Sequence, residues 1–150
     1  MRYNAGEGRV TRMRKAAVCV ALLFLAAVLP SLTFTEDQET VWLARAVYAV
    51  ARDESYETKL AVACAALNRV ESPWHPNTLK GVLAEKHQFP AGNYYDQDSL
   101  RAAHEALAGN RTLPANVMYF QSTGAPNPWG DEYFYRTIGG LAFYTRDGNR

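Results

Sequence analysis

Residues Leu43–Arg69 read LARAVYAVARDESYETKLAVACAALNR, and this stretch decides the fold. Two apolar runs at helical spacing flank a short acidic elbow, Arg52-Asp53-Glu54-Ser55. In the first run Leu43, Val47 and Val50 recur with Ala46 beside them, and Trp42 and Tyr48 add bulk. That spacing predicts a helix from about Glu39 to Arg52. In the second run Leu60, Ala63, Cys64 and Leu67 make one face, with Ala61, Val62, Ala65 and Ala66 filling in around it. It predicts a helix from about Tyr56 to Arg69. So many small side chains imply close packing, which puts this helix at the centre of the fold. Asp53 or Ser55 can cap it, since each offers an oxygen to the unpaired N–H groups of a first turn.

Outward toward the C-terminus, Ser72–Asn77 is a loop punctuated by Pro73 and Pro76. Asn77 can cap a short third helix over Thr78–Ala84. Glu85–Asn93 is a loop carrying His87, Gln88 and Phe89. Asp96 or Asp98 can cap a fourth helix through Ala108, with Leu100, Ala103, Ala106 and Leu107 on its apolar face and Gly109 as a left-handed stop. The pattern then changes. Val117–Gln121 is β-branched and aromatic, and Gly124–Gly130 is a Pro- and Gly-rich loop holding Trp129. Tyr133–Thr137 and Leu141–Thr145 are strand candidates around the turn pair Gly139-Gly140. The expected class is mostly α (α+β): four helices, then a small C-terminal antiparallel element.

Toward the N-terminus, Ala16–Leu29 is unbroken apolar sequence, and no charge follows until Glu36. Arg2, Arg9, Arg12, Arg14 and Lys15 precede it. A basic flank on one side of an apolar run keeps that side in the cytoplasm. Residues 1–35 therefore read as a basic tail and signal anchor, with residues 16–34 in the membrane, and 36–150 as an extracytoplasmic domain. An uncleaved anchor is favoured over a removed signal peptide, because no small-x-small cleavage site is obvious; cleavage would make the domain secreted. From Glu36 onward eleven basic residues face fourteen acidic ones, a net of −3. A domain of that sign lacks the basic footprint of a nucleic-acid binder. Two cysteines, Cys19 and Cys64, are too few for a disulfide framework. Cys64, among alanines, reads as a small buried hydrophobe.

His75, His87 and His104 are widely spaced, with no pair at ligand spacing, so no metal and no cofactor are expected. Gly-rich phosphate loops and a nucleophile elbow are absent. The elbow remains: Glu54 stands between two apolar helices, at the N-terminus of the second. Burial against Tyr48, Tyr56 or Trp74 would suit it to protonate a leaving group. The bland reading is a solvated turn with a capping acid. Arg45 is a candidate partner for Glu54 or Asp53.

These residues resemble the spore-cortex-lytic, SleB-like cell wall hydrolases. Leu43-Ala44-Arg45-Ala46-Val47-Tyr48, Ala51-Arg52, Glu54, Tyr56-Glu57, Ala61-Val62 and Asn68-Arg69 look like that family's first block. Pro76-Asn77-Thr78 with Gly81-Val82 looks like its second. Gln88-Phe89, Ala102-Ala103, Ala106-Leu107 and Gly109 continue it, and Tyr119-Phe120, Trp129, Ile138-Gly139 and Phe143-Tyr144 look like its end. The resemblance implies a lysozyme-like helical fold. It also implies cleavage of the β-1,4 bond between N-acetylmuramic acid and N-acetylglucosamine in peptidoglycan, largely by lytic transglycosylation with one general acid/base glutamate.

Where the family carries Glu-Ala-Arg-Gly-Glu, this chain reads Val50-Ala51-Arg52-Asp53-Glu54. The first glutamate, associated with catalysis, is replaced by Val50, and the second survives as Glu54. Leu141 stands in place of the family's C-terminal histidine, and Thr58 in place of one of its glycines. Either Glu54 is the catalytic acid, or the domain binds or scaffolds on glycan without cutting it. A helix continued through the elbow would put residues 50 and 54 one turn apart, within about 6 Å. Gln88, Tyr119 and Trp129 are the candidate lining of a sugar groove, while Asn68 and Arg69 read as structural.

Overall fold

A computed structural model describes residues 36–148. The basic tail and the apolar stretch read as a signal anchor lie outside the described residues. Among those described, no helix is long and apolar enough to cross a membrane. Four α-helices come first: α1 (Gln38–Ala51), α2 (Tyr56–Glu71), α3 (Leu79–Leu83) and α4 (Gln97–Leu107). Three strands follow: β1 (Val117–Ser122), β2 (Phe134–Ile138) and β3 (Leu141–Thr145). This is the helical domain with a small C-terminal antiparallel element expected from the periodicity.

The centre is α2. Every residue from Thr58 to Arg69 is buried, because α1, α3, α4 and β1 pack around it. A helix enclosed on all sides has to be apolar nearly all round, and Ala61, Ala63, Ala65 and Ala66 have no exposed surface. These small side chains let the neighbours come close, and the bulk comes from the partners. Leu43 and Val47 of α1, Val82 of α3, Val117 of β1 and Phe143 of β3 are fully buried. Each such side chain stabilises the fold by about 1.5–3 kcal/mol. Cys64 is buried too, with its sulfur 3.5 Å from the Asn110 carbonyl oxygen.

The buried Lys59, Asn68 and Arg69 of α2 each have partners, which matters because an unpaired buried polar group costs about 1–3 kcal/mol. Lys59 donates to Asp96 at 2.7 Å and ties α2 to the start of α4. Desolvation alone would raise the Asp96 carboxyl, but the Lys59 ammonium and the Ser99 N–H outweigh it and hold it down to about 2. The Asn68 amide donates to the carbonyls of Pro114 and Val117, both at 2.8 Å. Arg69 Nε donates to the Met118 carbonyl at 2.7 Å. Asn68 and Arg69 thus fasten the C-terminal end of α2 to the entry of β1, the structural role read from the sequence.

The caps resolve the open choices. Ser55, not Asp53, caps α2, its hydroxyl accepting from the Thr58 N–H at 3.3 Å. Asp96, not Asp98, caps α4, accepting from the Ser99 N–H at 2.7 Å. Thr78 replaces the expected Asn77 as the cap of α3, accepting from the Gly81 N–H at 3.1 Å, so that helix starts one residue later than expected. Gly109 ends α4 with φ +98°. In the sheet the order is β1-β3-β2, so the last strand is central, antiparallel to both neighbours and buried along its whole length. Tyr133, expected to open β2, belongs instead to a 3-10 turn, Asp131–Tyr133. The β2–β3 hairpin turns through Gly139-Gly140, with Gly139 at φ +57°.

Candidate functional site

One face of α1 is left uncovered by the core, and the loop after α3 runs along it. Phe89 anchors that loop, buried against Phe120 with ring centroids 5.8 Å apart. Gly92 brings it close: a Cβ there would lie 3.0 Å from the Arg45 carbonyl oxygen and 3.2 Å from the Ala49 side chain. A glycine is what permits such an approach. Three clefts open between this loop and its neighbours, and Pro90 lines all three.

The middle cleft, about 590 Å³, is lined by Val50, His87, Gln88, Phe120, Gln121 and Leu141 among others. His87 sits at φ +62°, a left-handed conformation uncommon for a non-glycine residue. The second cleft, about 550 Å³, is lined by Tyr48, Val50, Asp53, Glu54, Asn93 and Tyr94 among others. Tyr48 and Tyr94 meet edge to face, with centroids 4.9 Å apart. Val50 belongs to both clefts, so the place where the family resemblance puts a glutamate is the junction between them.

Glu54 is half-buried. Helix α1 does not continue through the elbow: it stops at Ala51, and the Glu54 N–H donates to the Ala51 carbonyl at 3.1 Å. The one-turn spacing expected from a continuous helix is therefore not the reason Val50 and Glu54 share a cleft. The reason is the β2–β3 turn, where the Gly140 N–H donates to Glu54 Oε2 at 2.9 Å. Both turn glycines make room for the carboxylate. A Cβ on Gly139 would collide with Glu54 Oε2 and Thr58 Oγ1, and one on Gly140 would lie 2.5 Å from Glu54 Oε1. Sequence reasoning took this pair for a turn and missed its second task. The neighbouring Asp53 is a surface group, 85% exposed and paired with Arg52 at 3.1 Å. The proposed link from Arg45 to Asp53 or Glu54 does not form. Of the three aromatic residues considered as cover for Glu54, Tyr48 lines its cleft. Tyr56 lies under the Arg101 guanidinium, 3.7 Å from it, and Trp74 under that of Arg146, at 3.9 Å.

The remaining candidates divide. Gln88 lies in the middle cleft, its Oε1 accepting from Arg69 Nη1 at 2.9 Å. Burial lowers the pKa of Arg69, against the pull of Glu85 and Tyr119, and its guanidinium lies over Phe89 at 5.1 Å and Tyr119 at 5.3 Å. Tyr119 and Trp129 stack on each other, 5.7 Å apart and 17° from parallel, but in a separate depression with Pro128, Tyr133 and Arg146. That depression shares no lining residue with the middle cleft. The Tyr119 hydroxyl lies 3.2 Å from His75 Nε2, and His75 Nδ1 lies 3.0 Å from Glu85. Of the two neighbouring aromatics it is Phe120, not Tyr119, that lines the middle cleft, together with Gln121 and Ser122. The structure thus brings Glu54 and Gln88 to clefts that meet, and places Tyr119 and Trp129 elsewhere.

The family model described as Cell Wall Hydrolase matches residues 53–144. The match begins just after Val50. A spore cortex-lytic enzyme of Bacillus subtilis (strain 168) is 37% identical over 93 residues, covering 58% of this chain and 30% of that protein. One from Oceanobacillus iheyensis is 47% identical over 93 residues, 58% of this chain and 34% of that protein. The chain thus spans about a third of the length of the curated relatives it matches. Among solved structures, the catalytic domain of the germination-specific lytic transglycosylase SleB from Bacillus anthracis superposes with a TM-score of 0.66 at 27% identity, over 76% of this chain and all of that one. The catalytic domain of the Bacillus cereus SleB protein does so with a TM-score of 0.65 at 30% identity, over 73% of this chain and 91% of that one.

Proposed function

This chain belongs to the cell wall hydrolase family, and from that premise we propose that it cleaves peptidoglycan glycan strands at the β-1,4 bond between N-acetylmuramic acid and N-acetylglucosamine, as a lytic transglycosylase. Glu54 is the general acid/base. The observation that carries the assignment is the position of Glu54: a half-buried carboxylate on the wall of a cleft that meets the Val50 cleft, fixed there by the Gly140 N–H.

The chemistry needs one such group. The protonated carboxyl gives its proton to the bridging oxygen as the bond from the muramic C1 to that oxygen breaks. The muramic 6-hydroxyl then attacks C1, and its proton passes to the carboxylate, which is regenerated as the acid. The products are a new reducing-side strand with a free 4-hydroxyl and a 1,6-anhydromuramic end. No water is consumed, so the second carboxylate of ordinary glycosidases is not required. Tyr48 and Tyr94 offer flat faces to a sugar ring on one side of Glu54, and Gln88 and Gln121 offer amides on the other. The apolar stretch over residues 16–34 anchors the chain in the membrane and holds 36–150 on the outer side, where the polymer lies.

The test is to incubate the full chain with purified peptidoglycan and look by mass spectrometry for anhydro-muropeptides. Glu54→Gln should abolish them; anhydro products surviving that substitution would remove Glu54 from the role. A second reading has its own support: Val50 has no ionisable group at the cleft junction, and one Glu54 oxygen already accepts from Gly140. Under that reading the domain holds glycan without cutting it. The wild-type chain would then pull down with cell walls and release nothing, and Val50→Glu would create activity.

A further inference from the structure

The third cleft, at the N-terminal end of the same face of α1, differs from the other two in charge. It measures about 410 Å³ and is lined by Trp42, Arg45, Lys80, Leu83, Phe89 and Pro90, among others. Its two charged side chains are both cations. Most cations of the described residues have carboxylate partners: Arg52 with Asp53, Lys59 with Asp96, Arg101 with Asp98 and Glu105, Arg111 with Glu71, Arg136 with Glu57, Arg146 with Asp147. Arg45 and Lys80 have none among the described residues within the 4.0 Å of an ion pair. Arg45 Nε is buried with no hydrogen-bond acceptor among the described residues. The charge of Arg45 is felt at Tyr95, whose hydroxyl donates to Glu36 at 2.7 Å. The Lys80 ammonium is held over the Trp42 ring, 5.7 Å from its centroid, at the cleft.

Two cations with no counter-charge among the described residues, one of them with a buried donor unsatisfied, describe a receptor for an anion. A guanidinium suits a carboxylate in particular, because its planar fork can give two parallel hydrogen bonds. This cleft shares Phe89 and Pro90 with the middle cleft and Ala91 and Gly92 with the Glu54 cleft. An anion bound here would therefore belong to a ligand reaching in from the glycan clefts. Resting on the glycan reading above, we propose that Arg45 and Lys80 form a carboxylate-binding subsite that receives the stem peptide carried by a muramic residue. Its peptide carboxylates are the anions that the polymer presents beside the strand. The subsite makes the domain prefer peptide-bearing strands to bare ones.

Binding, not cleavage, tests this. The full chain in detergent micelles is titrated calorimetrically with a soluble disaccharide-peptide muropeptide, and with the same muropeptide after amidation of its carboxyl groups. Trp42 emission serves as a second signal from the cleft. The wild-type chain should bind the free acid about 5–10-fold more tightly than the amide, the size expected of ion pairs open to water on one side. In Lys80→Gln that preference should shrink, and in Arg45→Gln with Lys80→Gln it should vanish, while affinity for the amidated ligand stays within about twofold. Equal affinity of the wild-type chain for acid and amide would overturn the subsite and leave the glycan reading standing. Binding of neither would overturn both. If Lys80→Gln, a substitution of a surface side chain, weakened both ligands alike, the ammonium would not discriminate and the proposal would fail.

Discussion

Asp96→Asn separates charge from capping at the joint between α2 and α4. Asn caps a helix about as well as Asp, so the Ser99 N–H keeps its acceptor. The Lys59 ammonium, 4% exposed, loses the carboxylate 2.7 Å away. Removing one partner of a fully buried pair costs about 3–5 kcal/mol. Asp96 is 33% exposed, so water can partly reach the orphaned ammonium, and about 2–3 kcal/mol is expected. At about 4 °C per kcal/mol for a chain of this size, Tm should fall by roughly 10 °C. Acid should reproduce part of this in the wild-type protein. The Asp96 carboxyl titrates at about 2 in the fold and at 3.8 unperturbed. A folded value below the unfolded one gives stability that is complete above pH 4 and lost as the pH falls toward 2. The shift amounts to at most about 2 kcal/mol, and solvent screening at a third-exposed group reduces it to about 1 kcal/mol. Urea denaturation of both proteins between pH 7 and pH 2 tests the reasoning. The stability gap between wild type and Asp96→Asn should be full at pH 7 and shrink below pH 4. A gap under about 0.5 kcal/mol at pH 7, or one that does not change with acid, would refute the ion pair as the source.

Gly140→Ala should displace the Glu54 carboxylate, whose Oε1 would lie 2.5 Å from the new methyl. Because a half-buried side chain can swing toward water, the stability cost should be about 1 kcal/mol or less, while anhydro-muropeptide release falls at least tenfold; a normal rate would show that Gly140 does not position the acid. Asn68→Ala leaves the Pro114 and Val117 carbonyls without their donor, and should cost about 2–4 kcal/mol in urea denaturation. A cost near zero would mean that the join between α2 and β1 is held without this amide.

The helices were legible because their signal is local. Apolar spacing and a run of alanines place α1 and α2 without knowledge of partners, and the fully enclosed α2 is the outcome of that composition. The sheet was legible as strands but not as an order. Nothing within Leu141–Thr145 says that it lies between the other two, except that all five residues are fit to be buried. What stayed hidden depended on long-range contacts. Lys59 and Asp96 are 37 residues apart, and neither announces the other. Gly92 looks like a loop glycine until α1 lies against it. Tyr119 and Phe120 are adjacent aromatics, and only the packing of the folded sheet shows which one lines the cleft.

The site shows the same division with more at stake. Reading Glu54 as a substitute for a glutamate at position 50 assumed a continuous helix. The chain breaks that helix at Ala51 and then returns Glu54 to the cleft from a different side, held by a turn 86 residues later. The two positions are therefore not equivalent. Val50 faces both the Gln88 cleft and the Glu54 cleft, whereas Glu54 lines only the latter. A carboxylate at 50 would meet a glycan from the junction; one at 54 meets it from the Tyr48 and Tyr94 side. An acid acting from 54 requires the scissile bond to lie toward those tyrosines, so Tyr94→Ala should impair cleavage by the wild-type chain more than cleavage by a Val50→Glu, Glu54→Gln chain. That asymmetry follows from where the elbow bends and not from which family the chain belongs to.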